Sequence, residues 1–217
     1  MIWICATVAI VAYLLGSIPT GYLAGRAKGI DVRTVGSGNI GATNAFRTLG
    51  TVPGILVLLI DGLKGWGAVE LSGVISALLQ PAAKPDPNVI EYLRIVAASC
   101  AILGHNYTCW LKFKGGKGIA TSAGVLAALV PLALVISLGT WIIVCIWTRY
   151  VSVASIAASA ILPFGTWIAG YSYRLIIFTA LMAVLAIYKH KGNIQRLLHG
   201  TENKLGKKSP PTKGAEA

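Results

Sequence analysis

Charged residues are scarce in this chain of 217 residues. They make up 12% of it, whereas soluble domains carry about a quarter. Hydrophobic residues make up 55%, and the mean hydropathy is +0.72. These values exclude a water-soluble globular enzyme and a disordered protein. The four cysteines stand in apolar stretches without metal-ligand spacing, so we interpret them as small buried hydrophobes and exclude a disulfide scaffold. The composition predicts a polytopic α-helical membrane protein.

Acidic residues are scarcer still, with 7 Asp and Glu against 19 Lys and Arg. No acidic cluster could hold magnesium, so the metal motif of lipid-alcohol phosphotransferases is missing. No serine sits in a Gly-x-Ser-x-Gly elbow followed by triad partners. Trp110 stands five residues after His105, where a His-x4-Asp acyltransferase has its aspartate, and without a carboxylate partner His105 would be a weaker general base. No metal and no cofactor are therefore predicted.

Long apolar runs predict the membrane spans. They cover residues 2–23, 52–79, 93–110, 151–169 and 175–188, and residues 80–88, with three prolines, form a connecting loop. Residues 118–148 are uncharged, and as one helix they would extend about 46 Å. That is long for one span and short for two.

Charge distribution decides the topology. If residues 118–148 fold back near Pro131, the basic loops at 26–47, 112–117 and 149 share one face with the tail. The positive-inside rule makes that face cytoplasmic. We predict an all-α fold with about seven transmembrane helices, the N-terminus outside and the C-terminus in the cytoplasm; five spans plus re-entrant pieces would give the same sidedness. Residues 1–200 form one membrane domain, and 201–217 form a basic flexible tail.

A glycine-rich segment follows the first span. It reads Gly36-Ser37-Gly38-Asn39-Ile40-Gly41-Ala42-Thr43-Asn44, with Arg47 three residues later. Closely spaced glycines let successive backbone N–H groups face one anion. The alternative is a tight turn in which glycine and asparagine only satisfy backbone geometry.

A second glycine-rich segment joins two apolar stretches. It contains Gly104-His105 and continues as Lys112-Phe113-Lys114-Gly115-Gly116-Lys117-Gly118 directly into an apolar helix. Helix N-termini bind anions, and the lysines add charge. It is not a Walker A loop, because the glycine spacing is wrong. Lysines that contact anionic headgroups are the alternative, but they leave the paired glycines unexplained.

Polar groups also stand at the ends of the last helices and inside one span. Ser152 could bind a ligand or only cap a helix. His190 and Asn193 share a face if the helix continues, and the histidine could bind phosphate, take a proton or only favour the helix dipole. Asp61 and Lys64 lie three apart at membrane depth, which favours an internal ion pair that positions helices.

Together these segments resemble the bacterial acylphosphate-dependent glycerol-3-phosphate acyltransferases of the inner membrane. The matching strings occur in the order of that family: residues 35–44, Gly104-His105, residues 113–121, 149–152 and His190-x-x-Asn193-Ile194-x-Arg196-Leu197. Departures are mild: Thr108 replaces a usual proline, and Lys189 and Lys191 replace common arginines.

The resemblance implies transfer of a fatty acyl group from acyl phosphate to the 1-hydroxyl of sn-glycerol 3-phosphate, giving lysophosphatidic acid and phosphate. This is the first step of bacterial phospholipid synthesis. It implies a multi-pass protein of the bacterial inner membrane, an active site on the cytoplasmic face, membrane lipid as a partner, and direct transfer without a metal or covalent intermediate.

By matching position, two sets of residues form the predicted site. The catalytic set is Ser37, Arg47, Lys117, Ser152, His190 and Asn193. The substrate-binding set is Gly38, Asn39, Gly41, Ala42, Thr43, Asn44, His105, Lys114, Gly115 and Gly116. Residues 38–44, Gly115-Gly116 and Lys117 would hold the acyl phosphate. Arg47, Lys114, His190 and Asn193 would hold the glycerol phosphate. His105 would orient the loop.

The competing hypothesis is a transporter or flippase for a phosphorylated metabolite or lipid. Such proteins often contain inverted repeats with broken helices at the midplane, and no internal repeat is seen here. A nucleic-acid binder is disfavoured because the basic loops are rich in glycine with little aromatic interleaving.

Overall fold

A computed structural model describes residues 1–81 and 86–206, and the regular secondary structure in this part of the chain is all helical. The α-helices are α1 (Ile2–Ser17), α2 (Thr20–Ala27), α3 (Ala42–Leu49), α4 (Thr51–Leu79), α5 (Pro87–Asn106), α6 (Ile119–Leu129), α7 (Pro131–Thr148), α8 (Val151–Ile168), α9 (Tyr173–Lys189) and α10 (Lys191–Leu198). A short 3-10 turn lies at Cys109–Leu111. The predicted all-α fold is confirmed.

Among the described residues, five helical stretches are long and apolar enough to cross a membrane. They are Ile2–Ala27, Thr51–Leu79, Pro87–Leu111, Pro131–Thr148 and Val151–Ile168, and α9 with α10 gives a sixth if that pair, bent by 52°, is one span. The prediction of a multi-pass membrane protein is therefore confirmed. α6 has 11 residues, or about 16 Å of helix, which is short for a bilayer core of about 30 Å. The count of seven spans and the orientation of the termini stay predictions.

Two helix breaks set the shape of the bundle. Val130 separates α6 from α7, and Pro131 occupies the first turn of α7, which is the break predicted there. The second break, at Ile18 and Pro19, separates α1 from α2. The Ile18 carbonyl oxygen accepts from the Thr20 N–H at 3.0 Å and from the Lys64 ammonium group at 2.8 Å, so this lysine adds a second donor at the break.

The predicted ion pair inside the second span is confirmed. Lys64 Nζ lies 2.8 Å from Asp61 Oδ1, and the two side chains are 4% and 1% exposed. Both groups face the bundle interior, where a partner offsets the cost of removing each charge from water.

Close packing between α4 and α6 depends on glycines. A Cβ added to Gly124 would lie 1.8 Å from the Gly62 carbonyl oxygen, and one added to Gly65 would lie 2.1 Å from the Thr121 carbonyl oxygen. Small residues let membrane helices approach to backbone contact. Other closely packed pairs in the bundle include α1 with α5, α7 with α8, α8 with α9, and α4 with α1, α3 and α5.

Candidate active site

A cavity of about 370 Å³ opens where the short helices and loops meet the bundle. Its inner walls are apolar and come from α4 to α9. The residues that form them include Leu58, Ile102, Leu126, Leu134, Leu138, Trp141, Leu162, Phe178 and Met182. Its rim is polar and is formed by both glycine-rich segments, the start of α8, α10 and the residues that follow α10. The cavity can therefore hold a molecule with an apolar chain and an anionic head.

The first turns of three helices meet at the rim. α3 contributes Ala42 and Thr43, α6 contributes Ile119 and Ala120, and α8 contributes Ser152. The N–H groups of a first turn have no partner within their own helix. Those of Ala42 and Thr43 make no other hydrogen bond in the described part of the chain. Three helix N-termini at one place favour negative charge.

Full positive charges surround the same place. Arg47 projects from α3, Lys117 precedes α6, and Arg196 lies on α10; all three line the cavity. Lys114, which the sequence assigned to the glycerol phosphate, is exposed and does not line the cavity of the described chain. The loop therefore directs Lys117 toward the cavity and Lys114 away from it.

One hydrogen-bonded chain connects the cations to an unexpected carboxylate. The Lys117 ammonium donates to Asn193 Oδ1. Asn193 Nδ2 then donates to Glu202 Oε1 at 2.6 Å. Ser152 Oγ donates to the same oxygen at 2.9 Å, and Arg196 Nε donates to Glu202 Oε2 at 2.7 Å. Because a hydroxyl has one proton, Ser152 in this state donates to Glu202 rather than into the cavity.

Burial and charge adjust two of these groups. Burial lowers the pKa of Lys117 to about 8; Glu202 opposes that shift, whereas Arg196, Arg47 and Lys189 add to it. Burial also works against ionisation of Glu202, but hydrogen bonds from Asn193, Ser152 and Arg196 outweigh it and hold the pKa of that carboxyl below its usual value. At neutral pH the site therefore contains an ammonium group and a carboxylate joined through one amide.

His190 marks the bend between α9 and α10 and is 2% exposed. Its Nδ1 lies 2.7 Å from the Ala186 carbonyl oxygen. A carbonyl oxygen only accepts, so Nδ1 carries the proton and Nε2 of the neutral ring is left as an acceptor. His190 and Asn193 were predicted to share a face if the helix continues. The helix instead bends at His190, and the Asn193 N–H donates to the His190 carbonyl oxygen at 2.8 Å.

In the first glycine-rich segment, the asparagines bind backbone rather than point outward. Asn44 is 1% exposed. Its Oδ1 accepts from the Ser37 N–H at 2.8 Å, and its Nδ2 donates to the Val32 and Val35 carbonyl oxygens. Asn39 Oδ1 accepts from the Gly41 N–H at 2.9 Å. These contacts hold the segment in shape and do not use the N–H groups of Ala42 and Thr43.

The N–H groups of Gly115 and Gly116, which were predicted to hold the acyl phosphate, bond to backbone carbonyl oxygens in this structure. The Gly115 N–H donates to the Asn106 carbonyl oxygen at 3.2 Å, and the Gly116 N–H donates to the His105 carbonyl oxygen at 3.0 Å. A Cβ on Gly116 would lie 2.2 Å from His105 Nε2. The glycines are required for close contact with the end of α5. This contact fixes the position of Lys117, which follows them.

His105 has a carboxylate neighbour that its local sequence does not provide. Asp61 of α4 places Oδ1 3.7 Å from His105 Nδ1, which is beyond hydrogen-bond distance. The expectation that His105 has no such neighbour is therefore corrected by a residue from another helix. Its packing against Gly116 supports the predicted orienting role.

The structure brings most of the predicted residues to one cavity. Those that line it are Ser37, Asn39, Gly41, Ala42, Thr43, Asn44, Arg47, His105, Lys117, Ser152, His190 and Asn193. Within the described chain, Gly38, Lys114, Gly115 and Gly116 do not. Lys117 and Asn193 were assigned to different substrates but bind each other, so the donors do not divide into the two predicted sets.

Sequence reasoning missed Glu202 as a site residue. It lies in the predicted flexible tail, yet the described part of that tail folds back over the rim. The Leu205 N–H donates to the Arg149 carbonyl oxygen at 2.8 Å, and the Arg149 guanidinium donates to the Leu205 carbonyl oxygen at 2.8 Å. The remainder of the tail, 207–217, lies outside the described residues. The available signal was a glutamate in a basic tail that contains two, Glu202 and Glu216.

Long apolar helices around a cavity with a cationic rim define a multi-pass membrane protein with a site for anionic amphiphiles. The chain belongs to the glycerol-3-phosphate acyltransferase family, whose model matches residues 6–200.

Individual relatives agree with this assignment. The chain is 46% identical to glycerol-3-phosphate acyltransferase 2 of Moorella thermoacetica (strain ATCC 39073 / JCM 9320), over 95% of this chain and all of the relative. It is 44% identical to glycerol-3-phosphate acyltransferase of Desulforamulus reducens (strain ATCC BAA-1160 / DSM 100696 / MI-1), over 91% and 93% of the two chains.

Solved structures are similar as well. The crystal structure of PlsY (YgiH), an integral membrane glycerol 3-phosphate acyltransferase, in its glycerol 3-phosphate form has a TM-score of 0.82 at 37% identity, covering 93% of this chain and 96% of that one. Its lysophosphatidic acid form has a TM-score of 0.80 at 36% identity, covering 93% and 95%.

Proposed function

We propose that this protein transfers a fatty acyl group from acyl phosphate to the 1-hydroxyl of sn-glycerol 3-phosphate. The products are 1-acylglycerol 3-phosphate and inorganic phosphate. The reaction takes place at the cytoplasmic face of a bacterial inner membrane, as the first step of phospholipid synthesis. The observation that carries the proposal is the single cavity that joins an apolar interior to a rim of cations and helix N-termini.

The acyl chain and the phosphate of the donor fit two different parts of this cavity. The acyl chain lies against apolar side chains of α4 to α9, such as Leu126, Leu162 and Phe178. Its phosphate reaches the rim, where the free N–H groups of Ala42 and Thr43 and the first turn of α6 face an anion. A fatty chain in the membrane interior needs no carrier, which supports a small acyl phosphate as the donor.

The acceptor binds at the cationic side of the rim. Arg47, Lys117 and Arg196 surround the position, and Asn193 and His190 add polar groups. Glycerol 3-phosphate carries about two negative charges near neutral pH, which these cations neutralise. The acceptor is small and water-soluble, so it enters from the rim while the donor enters from the membrane.

The transfer itself requires little covalent help from the protein. The 1-hydroxyl oxygen of the glycerol attacks the acyl carbon, a C–O bond forms, and the bond to the bridging oxygen breaks as phosphate leaves. The hydroxyl proton goes to a phosphate oxygen of the substrates or to Nε2 of His190. Holding the two groups together contributes up to about 7–11 kcal/mol, and N–H donors aimed at the developing oxyanion contribute more. No metal and no acyl-enzyme take part.

A comparison of acyl donors tests the proposal. Purified protein in detergent is given glycerol 3-phosphate with acyl phosphate, acyl-CoA or acyl-acyl carrier protein, and lysophosphatidic acid and phosphate are measured. We expect both products in equal amounts from acyl phosphate alone. Product from a thioester donor but not from acyl phosphate would reject the donor. Absence of product together with uptake of glycerol 3-phosphate into vesicles would favour a transporter.

A further inference from the structure

We propose that Glu202 is a positioning residue that fixes the orientation of the Asn193 amide and thereby holds the Lys117 ammonium at the acceptor-phosphate site. This inference rests on the proposed function, because it assigns a role within the same site. It concerns the six residues Thr201–Gly206 that fold back over the rim, which we name the strap.

The strap is anchored at several points, so the position of Glu202 is determined. The Thr201 N–H donates to the Arg196 carbonyl oxygen at 2.8 Å, and Leu205 exchanges two hydrogen bonds with Arg149. The Lys204 ammonium lies 5.0 Å from the centre of the Tyr150 ring. Between these anchors the Glu202 side chain points inward and is 6% exposed.

The polarity of the hydrogen bonds explains why a carboxylate is needed. Asn193 has one accepting and one donating end, and its donating end faces Glu202. A carboxylate only accepts, so it keeps that end in place and leaves Oδ1 to accept from Lys117. A glutamine at this position could present its own NH₂ group. The Asn193 amide could then turn and direct its NH₂ group at the ammonium, which is repulsive.

The negative charge of Glu202 also helps to keep Lys117 protonated and in place. The charged and titratable groups that face Lys117 are Arg47 of α3, Lys189 and His190 at the end of α9, Arg196 of α10, and Glu202. Arg47, Lys189 and Arg196 disfavour a protonated Lys117, and Glu202 is the negative group among them. Removal of its charge therefore lowers the pKa of Lys117 from about 8.

Two other roles for Glu202 make different predictions. If the carboxylate only occupies the anion position in the empty enzyme, it competes with the acceptor, and its removal strengthens binding. If it only stabilises the fold, its removal lowers the thermal stability but leaves the pH dependence of binding unchanged.

Binding of glycerol 3-phosphate by calorimetry, with purified protein in detergent and no acyl donor, separates these roles. The variants are Glu202→Gln and the matched control Glu91→Gln, which breaks the Arg174–Glu91 pair at 3.1 Å away from the cavity. For Glu202→Gln we expect at least about fivefold weaker binding at pH 7, and a weakening at high pH that begins about half a pH unit lower than in the parent. Glu91→Gln should bind like the parent.

Tighter or unchanged binding by Glu202→Gln, or weaker binding with the same pH dependence, would overturn the proposal. If that variant fails to fold, Glu202→Asp retains the charge on a shorter side chain. It should weaken binding at least about threefold with the parent pH dependence, and unchanged affinity would reject the proposal. Since no acyl donor is present, failure of the donor assignment does not affect this result.

Discussion

At the scale of single residues, Lys117 and Asn193 come together from distant parts of the chain, a loop before α6 and the start of α10. Their hydrogen bond places the ammonium among Arg47, Arg196 and Glu202. We propose that this small group of side chains binds the acceptor phosphate.

Replacement of Lys117 or Arg47 by alanine should lower kcat/KM at least about 100-fold, or about 2.7 kcal/mol of transition-state stabilisation. The physical reason is the loss of a full charge at the phosphate. Initial rates with both substrates varied provide the measurement, and membrane yield and thermal unfolding check the fold.

Lys114→Ala is the matched control in the same loop. Lys114 is exposed and does not line the cavity of the described chain, so its rate should stay within about threefold of the parent. A large loss for Lys114→Ala with little loss for Lys117→Ala would mean that the loop presents the other lysine to the substrate.

Binding of glycerol 3-phosphate should also depend on pH. Lys117 must be protonated to bind the phosphate, and burial lowers its pKa in the free protein to about 8. A bound dianion raises that pKa, so binding takes up a proton at higher pH. The Kd should be constant from about pH 7 to 8 and then increase by up to about tenfold per pH unit. Calorimetry in two buffers of different ionisation enthalpy measures the proton uptake, and an affinity that improves above pH 8 would contradict it.

Many of these residues could be predicted from the sequence because glycine, lysine and serine stand in short segments with an anion-binding pattern. Glu202 could not be predicted, because its role depends on the strap folding back over the rim. The contact of Gly115 and Gly116 with the end of α5 could not be predicted either. Both a phosphate nest and a close contact with the end of α5 require glycine, so the sequence alone cannot separate them.

At the scale of helices, the crossing of α4 and α6 links the membrane interior to the site. Lys117 and Gly118 lead directly into α6, so the position of α6 sets the position of the lysine. Gly62 and Gly124 are in backbone contact at this crossing. A change in the separation of the two helices should therefore affect both stability and activity.

Gly124→Ala should destabilise the protein by about 1–3 kcal/mol and lower its activity. The new Cβ would lie 1.8 Å from the Gly62 carbonyl oxygen, so α6 must move away. Gly73→Ala in α4 is the control, because nothing lies within 4 Å of its added Cβ. That variant should be neutral or slightly stabilised. Thermal unfolding in detergent compares them, and equal effects would show that the crossing is looser than described.

Sequence patterns were informative for the helices themselves. Uninterrupted apolar runs marked the long helices, and Pro131 marked the break between α6 and α7. The bend of 52° at His190 has no proline or glycine signal at that residue. At the bend the His190 ring bonds to the Ala186 carbonyl oxygen of the preceding helical turn, a contact that the apolar pattern does not indicate.

At the scale of the whole molecule, the account requires both glycine-rich segments on one side of the membrane. Their basic residues and the strap meet at a single cavity rim, whereas the ion pairs Arg94–Glu70 and Arg174–Glu91 join other parts of the helices. We propose that the rim faces the cytoplasm, in agreement with the excess of basic residues there.

Cysteine labelling tests this sidedness. Single cysteines are placed at Arg33, Lys112 and Asn88 after the four natural cysteines are replaced by alanine. A membrane-impermeant reagent applied to intact cells should leave positions 33 and 112 unlabelled and should label position 88. Labelling of 33 and 112 from opposite sides would be incompatible with one site formed by both segments.

The central claim is that the two phosphorylated substrates meet in one cavity and the acyl group passes directly between them. Exchange of labelled inorganic phosphate into acyl phosphate, without glycerol 3-phosphate, tests it most directly, because an acyl-enzyme would form and reverse under these conditions. We predict no exchange in the absence of glycerol 3-phosphate. Rapid exchange in its absence would demonstrate a covalent intermediate and contradict direct transfer.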